Sequence, residues 1–187
     1  NFEALHLFKD VDIYKETDQS FNLFNALATK QLAQFGVKGG VISPELTSRE
    51  VEALSKGAFI DCVLPVYGRQ EVMVSANCVL NCEKKQCRRC KNQGSYTLTD
   101  ERGAGFPMRL DERGITHIYN GDKLVLKNEI LHQHFIAKWR LYTLYENKDT
   151  LMDAAEYYKK GIFTGALELA GGEGIRYTKG NYKRGVE

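Results

Sequence analysis

Hydrophobic and polar positions change period repeatedly over the first 75 residues, and the elements they predict alternate with them. Val11-Asp12-Ile13-Tyr14 has strand chemistry and is followed by a polar turn. Phe21, Leu23, Phe24, Leu27, Leu32 and Phe35 then recur at helical spacing up to Gly36, a residue suited to ending a helix. Val37 to Ile42 predicts a second strand, which stops at Ser43-Pro44-Glu45-Leu46. Thr47-Ser48-Arg49-Glu50 has the capping-box pattern, a hydroxyl residue with Glu three positions on, and predicts a short helix through Val51, Leu54 and Ser55. Phe59 to Tyr67 and Val72 to Val74 predict two more strands around Gly68-Arg69-Gln70. Strand and helix in alternation predict a parallel sheet with crossover helices. The chain opens on a stretch that reads as strand and on Asn rather than Met, as expected of a piece of a longer polypeptide.

After Val74 the pattern changes. Ser75 to Gly94 is polar, basic and rich in cysteine, and has no apolar face with which to build a core unless something staples it. Short strands are predicted around Tyr96-Thr97-Leu98, Gly105-Phe106-Pro107-Met108, His117-Ile118-Tyr119 and Leu124-Val125-Leu126. A longer strand from Phe135 to Leu144 and a helix from Asp149 to Lys160 complete the reading. No internal repeat or low-complexity segment stands out. The expected division is an α/β segment over residues 1–75 and a cysteine-rich loop with a small mixed α+β domain over residues 76–187.

Composition narrows the class. Of 187 residues 43% are hydrophobic and 27% charged, the balance of a globular protein with a folded core rather than of a disordered chain. No apolar run approaches the roughly 20 residues that span a bilayer, and the first residues carry no secretory signal, so a cytoplasmic protein without a membrane partner is expected. The net charge of +2 makes no demand for a polyanionic partner, so any basic site must be local.

Such a site surrounds the cysteines. Cys78, Cys82, Cys87 and Cys90 fall within 13 residues, where even scattering of the five cysteines would place fewer than one. A reducing compartment disfavours disulfides and leaves a metal. Four thiolates complete a tetrahedral zinc shell, and the closing Cys87-Arg88-Arg89-Cys90 has zinc-knuckle spacing; they equally satisfy a [4Fe-4S] cluster. Lys84, Lys85, Arg88, Arg89 and Lys91 against Glu83 would offset the negative charge of either centre and depress the thiol pKa values. The same side chains are candidate contacts for the phosphates of an RNA or another anionic substrate. Cys62, inside an apolar strand, reads as an inert core thiol.

Other polar residues have plainer readings. His132 and His134 would share one face of a strand, and His117 reads the same way, as part of a polar sheet face. Gly171-Gly172-Glu173-Gly174 reads as a loop. The end of the chain, from Arg176 to Glu187, alternates basic and aromatic residues, a composition for stacking on bases or for an extended segment packed on the domain. No His-Glu-x-x-His, Gly-x-Ser-x-Gly or phosphate-binding loop is present.

Several short motifs together resemble the collagenase-like peptidase family U-32, which includes anaerobic RNA and quinone hydroxylation factors. They are Ser43-Pro44-Glu45-Leu46, Tyr67-Gly68-Arg69 with Val72-Met73-Val74-Ser75 and Cys78, Leu98 to Gly103 with Phe106-Pro107, Ile118-Tyr119-Asn120, and Tyr177-Thr178-Lys179-Gly180 with Arg184-Gly185-Val186. The resemblance implies the C-terminal portion of a (βα) barrel followed by a small mixed α+β domain with the four-cysteine metal site. A whole barrel needs about 250 residues, so an amino-terminal barrel half or a partner subunit is expected to supply the remainder. The resemblance also implies an iron-sulfur protein of oxygen-independent hydroxylation or a peptidase, with Glu45 at the end of a barrel strand as the candidate catalytic carboxylate. The pattern departs from the family where a later cysteine pair is expected before Ile118. Asp111-Glu112-Arg113-Gly114 stands there, and Cys82 and Cys90 become the substitute ligands.

Overall fold

The computed structural model describes residues 1–78, 96–161 and 176–183. The fold is mixed α/β. It opens on a helix, α1 (Phe2–Leu7), and not on the expected strand: the Asn1 side chain accepts the Ala4 amide at 2.8 Å, Glu3 sits in the positive first turn, and Leu5 is buried. Val11, Ile13 and Tyr14 are exposed, and the first strand forms just beyond them as β1 (Glu16–Thr17). The helix predicted from Phe21 begins later, as α2 (Ala26–Gln34), because Asn25 supplies the cap and Phe21 closes a 3₁₀ turn instead.

Next come β2 (Gly39–Val41), α3 (Ser48–Lys56) and β3 (Asp61–Gly68). The capping box forms as its spacing requires: Thr47 N donates to Glu50 at 2.8 Å, and the Glu50 amide returns to Thr47 Oγ1 at 3.4 Å. The later elements are β4 (Glu71–Ser75), β5 (Tyr96–Thr99), β6 (Gly105–Leu110), β7 (Thr116–Tyr119), β8 (Lys123–Val125), β9 (Lys138–Leu141), α4 (Lys148–Lys160) and β10 (Tyr177–Thr178). The long strand expected from Phe135 shrinks to β9, and His132 and His134 lie in turns before it, both exposed.

β1, β2, β3 and β9 form a parallel row in that order. Val63 pairs with both Val41 and Lys138, so β2 and β9 flank β3 on opposite sides. β8 joins antiparallel on the β2 side, where β2 has ended, and β10 extends it. One sheet thus draws strands from both sides of residue 75. No barrel closes among the described residues. Cys62, Leu64 and Val66 face α3 and α4 in the main core with Trp139, Leu141, Leu54, Ala154 and Tyr158; the Tyr158 hydroxyl donates to the carbonyls of Val66 and Leu126 at 3.0 and 2.8 Å. Burial, and after it the charge of Asp61, pushes the Cys62 thiol up to about 11, the behaviour of an inert core thiol.

The second sheet is antiparallel, in the order β4-β7-β6-β5. Its hairpin turns repeat one device. Asp100-Glu101-Arg102-Gly103 and Asp111-Glu112-Arg113-Gly114 are the same tetrapeptide, and in each the Asp carboxylate accepts the amides two and four residues on, at 2.7 to 2.9 Å, while Gly adopts φ +79. The chain therefore does carry a short repeat, structural in origin.

Candidate functional site

Cys78 falls among the described residues; Cys82, Cys87 and Cys90, with Lys84, Lys85, Arg88, Arg89 and Lys91, lie outside them, as does Gly171 to Gly174. Cys78 is half-buried and follows β4 by three residues. Strand order defines its surroundings. Ser75 pairs with Thr116, Thr116 with Leu110, and Met108 with Tyr96, so the end of β4, the Asp111 turn and the start of β5 share one end of the small sheet. Thr116 Oγ1 fastens that end by donating to the Asn77 carbonyl at 2.7 Å. The cysteine-bearing connection leaves the sheet at one edge strand and re-enters at the other, on the same end.

Asp111–Gly114, standing where the resembled family has its later cysteines, is committed to its turn. The Ile115 amide, against burial, and then the Arg113 amide and His117 hold the Asp111 carboxyl below its usual value. Among the described residues no group of three or more His, Cys, Asp or Glu side chains is placed to hold a metal ion.

His117 was expected on a polar sheet face, and it is. Its Nδ1 lies 2.5 Å from Glu71 Oε1, and its Nε2 lies 3.9 Å from Asp111 Oδ2. The Glu71 contact arises because a bulge at Val72 brings Glu71 opposite Tyr119, onto the His117 face. Nothing in sequence spacing announces that pair, since 46 residues separate its members.

A second polar region covers the parallel row on the face turned away from the helices. Glu16 on β1 binds Lys138 and Arg140 on β9 at 2.8 and 3.2 Å, Tyr14 accepts from Lys138 at 2.5 Å, and the Tyr142 hydroxyl donates to Gln19 at 2.9 Å. Three strand spacings of about 4.8 Å separate these edge strands. The contacts therefore mark a curled, concave face, and Gly39 leaves room for Glu16 and Tyr14 to lie across β2. Lys138, before burial and Arg140 are weighed, is the main reason that the Glu16 carboxyl falls below its usual value. Burial first, then Asp18, pushes the Tyr142 hydroxyl up, so it stays a donor.

Glu45 stands four residues past the end of β2, exposed, and its carboxylate makes no hydrogen bond or ion pair among the described residues. Ser43, buried beside it, accepts the Glu45 amide at 3.4 Å. A further pair is internal. Lys123 Nζ lies 2.8 Å from Glu146 Oε1 and 3.4 Å from the Tyr67 hydroxyl, with both charged side chains 3% exposed.

No helix among the described residues is long and apolar enough to cross a membrane. In comparisons with protein families, curated proteins and solved structures, nothing matches the chain.

Proposed function

We propose that the chain is a metal-binding protein of the U-32 peptidase-like kind, which assists an oxygen-independent hydroxylation of RNA or of a small anionic molecule. The observation that carries the reading is the set Cys78, Cys82, Cys87 and Cys90 within 13 residues, beginning at the end of β4. Four thiolates fit a [4Fe-4S] cluster or a zinc ion, and the basic residues from Lys84 to Lys91 compensate the charge of either. A cluster would supply electron transfer. The chain's own part is to anchor the ligand segment on the rigid end of the small sheet and to hold an anion near Lys84, Lys85, Arg88, Arg89 and Lys91. The parallel row with its polar concave face is what the last portion of a (βα) barrel would contribute, and Glu45 would add a carboxylate at its rim.

Metal analysis and a visible spectrum on protein purified without oxygen test this. Iron with acid-labile sulfide and a brown colour are expected, lost in Cys87→Ser. A colourless protein holding one zinc per chain shifts the reading to a zinc-stapled RNA- or protein-binding module, and absence of both metals refutes it. The peptidase reading has one observation in its favour, the Glu71–His117 pair. It predicts casein cleavage that falls at least tenfold in Glu45→Gln or His117→Ala, and it fails if no cleavage is seen.

A further inference from the structure

The edge where β10 joins β8 holds a cavity of about 320 Å³ lined by Val125, Lys127, Asn128, Glu129, Tyr177 and Lys179, with Thr178 beside them. That volume is at the lower end of small-molecule sites, about 300–1,000 Å³. Its walls differ in chemistry. Val125 is buried and apolar; Tyr177 keeps 45% of its surface exposed and gives an aromatic wall. Burial, then Glu146, pushes the Tyr177 hydroxyl up, so the ring stays neutral.

The charges on the opposite side are organised. Glu129 is drawn into an ion pair with Lys179, accepts the Lys127 amide at 2.9 Å, and has Lys183 at 4.0 Å. Burial works to raise the Glu129 carboxyl, but Lys179 and the Lys127 amide together take it below its usual value, so it remains an anion that orients the lysines. Lys127, Lys179 and Lys183 against Glu129 leave a net charge of +2 at the pocket. The Lys127 ammonium and the Asn128 amide make no side-chain hydrogen bond or ion pair among the described residues.

We infer that this pocket binds one nucleoside monophosphate unit, its base against Tyr177 and its phosphate toward Lys127 and Lys179. An aromatic platform beside one uncompensated cation, Lys127, and a second that Glu129 holds in place, Lys179, is the pairing that single nucleotides require, the ring contributing sequence-tolerant stacking and the lysines a salt-dependent term. An amide at the edge adds a donor and an acceptor for a base or ribose. The site lies apart from the cysteine segment in sequence and does not depend on the metal, so its success or failure is separable from the function proposed above.

The test is calorimetric titration of the chain, before and after metal removal, with a nucleoside 5′-monophosphate, a ten-nucleotide single-stranded RNA, and inorganic phosphate. Binding of the nucleotide or the RNA, weakening with salt, is expected in both preparations. Tyr177→Ala should weaken it about tenfold or more, Tyr177→Phe should keep it, and Lys127→Gln should lower the salt slope by about one. Free nucleotide binding as well as RNA identifies a small-molecule site; RNA binding alone identifies a strand. No binding by either, equal affinity for inorganic phosphate, or Tyr177→Ala and Lys127→Gln both behaving as the parent chain overturns the inference.

Discussion

Lys123 and Glu146 offer the sharpest test of the packing. Lys123→Met removes a cation from a carboxylate that is 3% exposed and whose remaining partner is the Tyr67 hydroxyl. Breaking one side of a buried pair costs about 3–5 kcal/mol. The Tyr67 ring lies 5.5 Å from the ammonium, and losing that contact adds about 1 kcal/mol, which places Lys123→Met at the upper end. Glu146→Gln keeps an acceptor for Lys123 and should cost about 3 kcal/mol. Replacing both, as Lys123→Met with Glu146→Leu, removes the need for either charge and should return to within about 1 kcal/mol of the parent. Urea unfolding followed by Trp139, the sole tryptophan, reads these values from the margin of the core, where its half-buried ring packs 6.1 Å from that of Tyr158. With a slope of about 2 kcal/mol per molar, the single variants should lose about 1.5–2.5 M in midpoint at unchanged slope. Single losses below about 1 kcal/mol, or a double variant that merely adds the two, would refute the buried-pair account.

Gly68→Ala should be among the most damaging single changes. Its backbone sits at φ +102, and a Cβ there would collide with the Tyr142 carbonyl where β3 meets β9. A loss above about 4 kcal/mol, or failure to fold, is expected, whereas Gly103→Ala, at φ +79 with open space around it, should cost about 1 kcal/mol; equal thermal shifts would contradict the geometry. Glu16 predicts an acid limb. Its folded pKa lies below the usual 4.5, so its contribution is present above that value and is lost as pH falls through the folded value. Glu16→Gln should therefore flatten stability against pH below about 4.5, and an unchanged profile in an acid unfolding series would refute the contribution.

What the sequence made legible was local. The Thr47–Glu50 cap, the β3 apolar run and α4 each follow from residues within a few positions of one another, and each formed near its expected bounds. The first strand forms beyond its expected place because Val11, Ile13 and Tyr14 have strand chemistry without a neighbouring strand, whereas Glu16 and Thr17 pair with β2. Lys123 carries no local sign of burial, because a buried lysine depends on its partner, Glu146, 23 residues away in sequence. Phe135 to Leu144 reads as one strand, and nothing local to it shows that Lys138, Arg140 and Tyr142 meet Glu16 and Gln19 from the far side of β2 and β3.

The motifs behind the family resemblance do structural work in several places, which changes what they imply. Tyr67 lies against the Lys123–Glu146 pair, Gly68 permits the approach of Tyr142, and Arg69 ties down the carbonyls of Asn120 and Gly121 between β7 and β8. Asp100 to Gly103 forms a hairpin turn, and the identical tetrapeptide at Asp111 forms a second one where cysteines were expected. Asp111 spends one carboxylate oxygen on two backbone amides and turns the other toward His117, with no third ligand-type side chain grouped there among the described residues, so the metal proposal draws its full ligand set from elsewhere. Cys82 and Cys90 are the residues available in the sequence to complete it. On this argument the metal proposal stands or falls on Cys78, Cys82, Cys87 and Cys90 alone, and Asp111→Asn, which keeps a turn acceptor, should leave metal content unchanged while Cys82→Ser abolishes it.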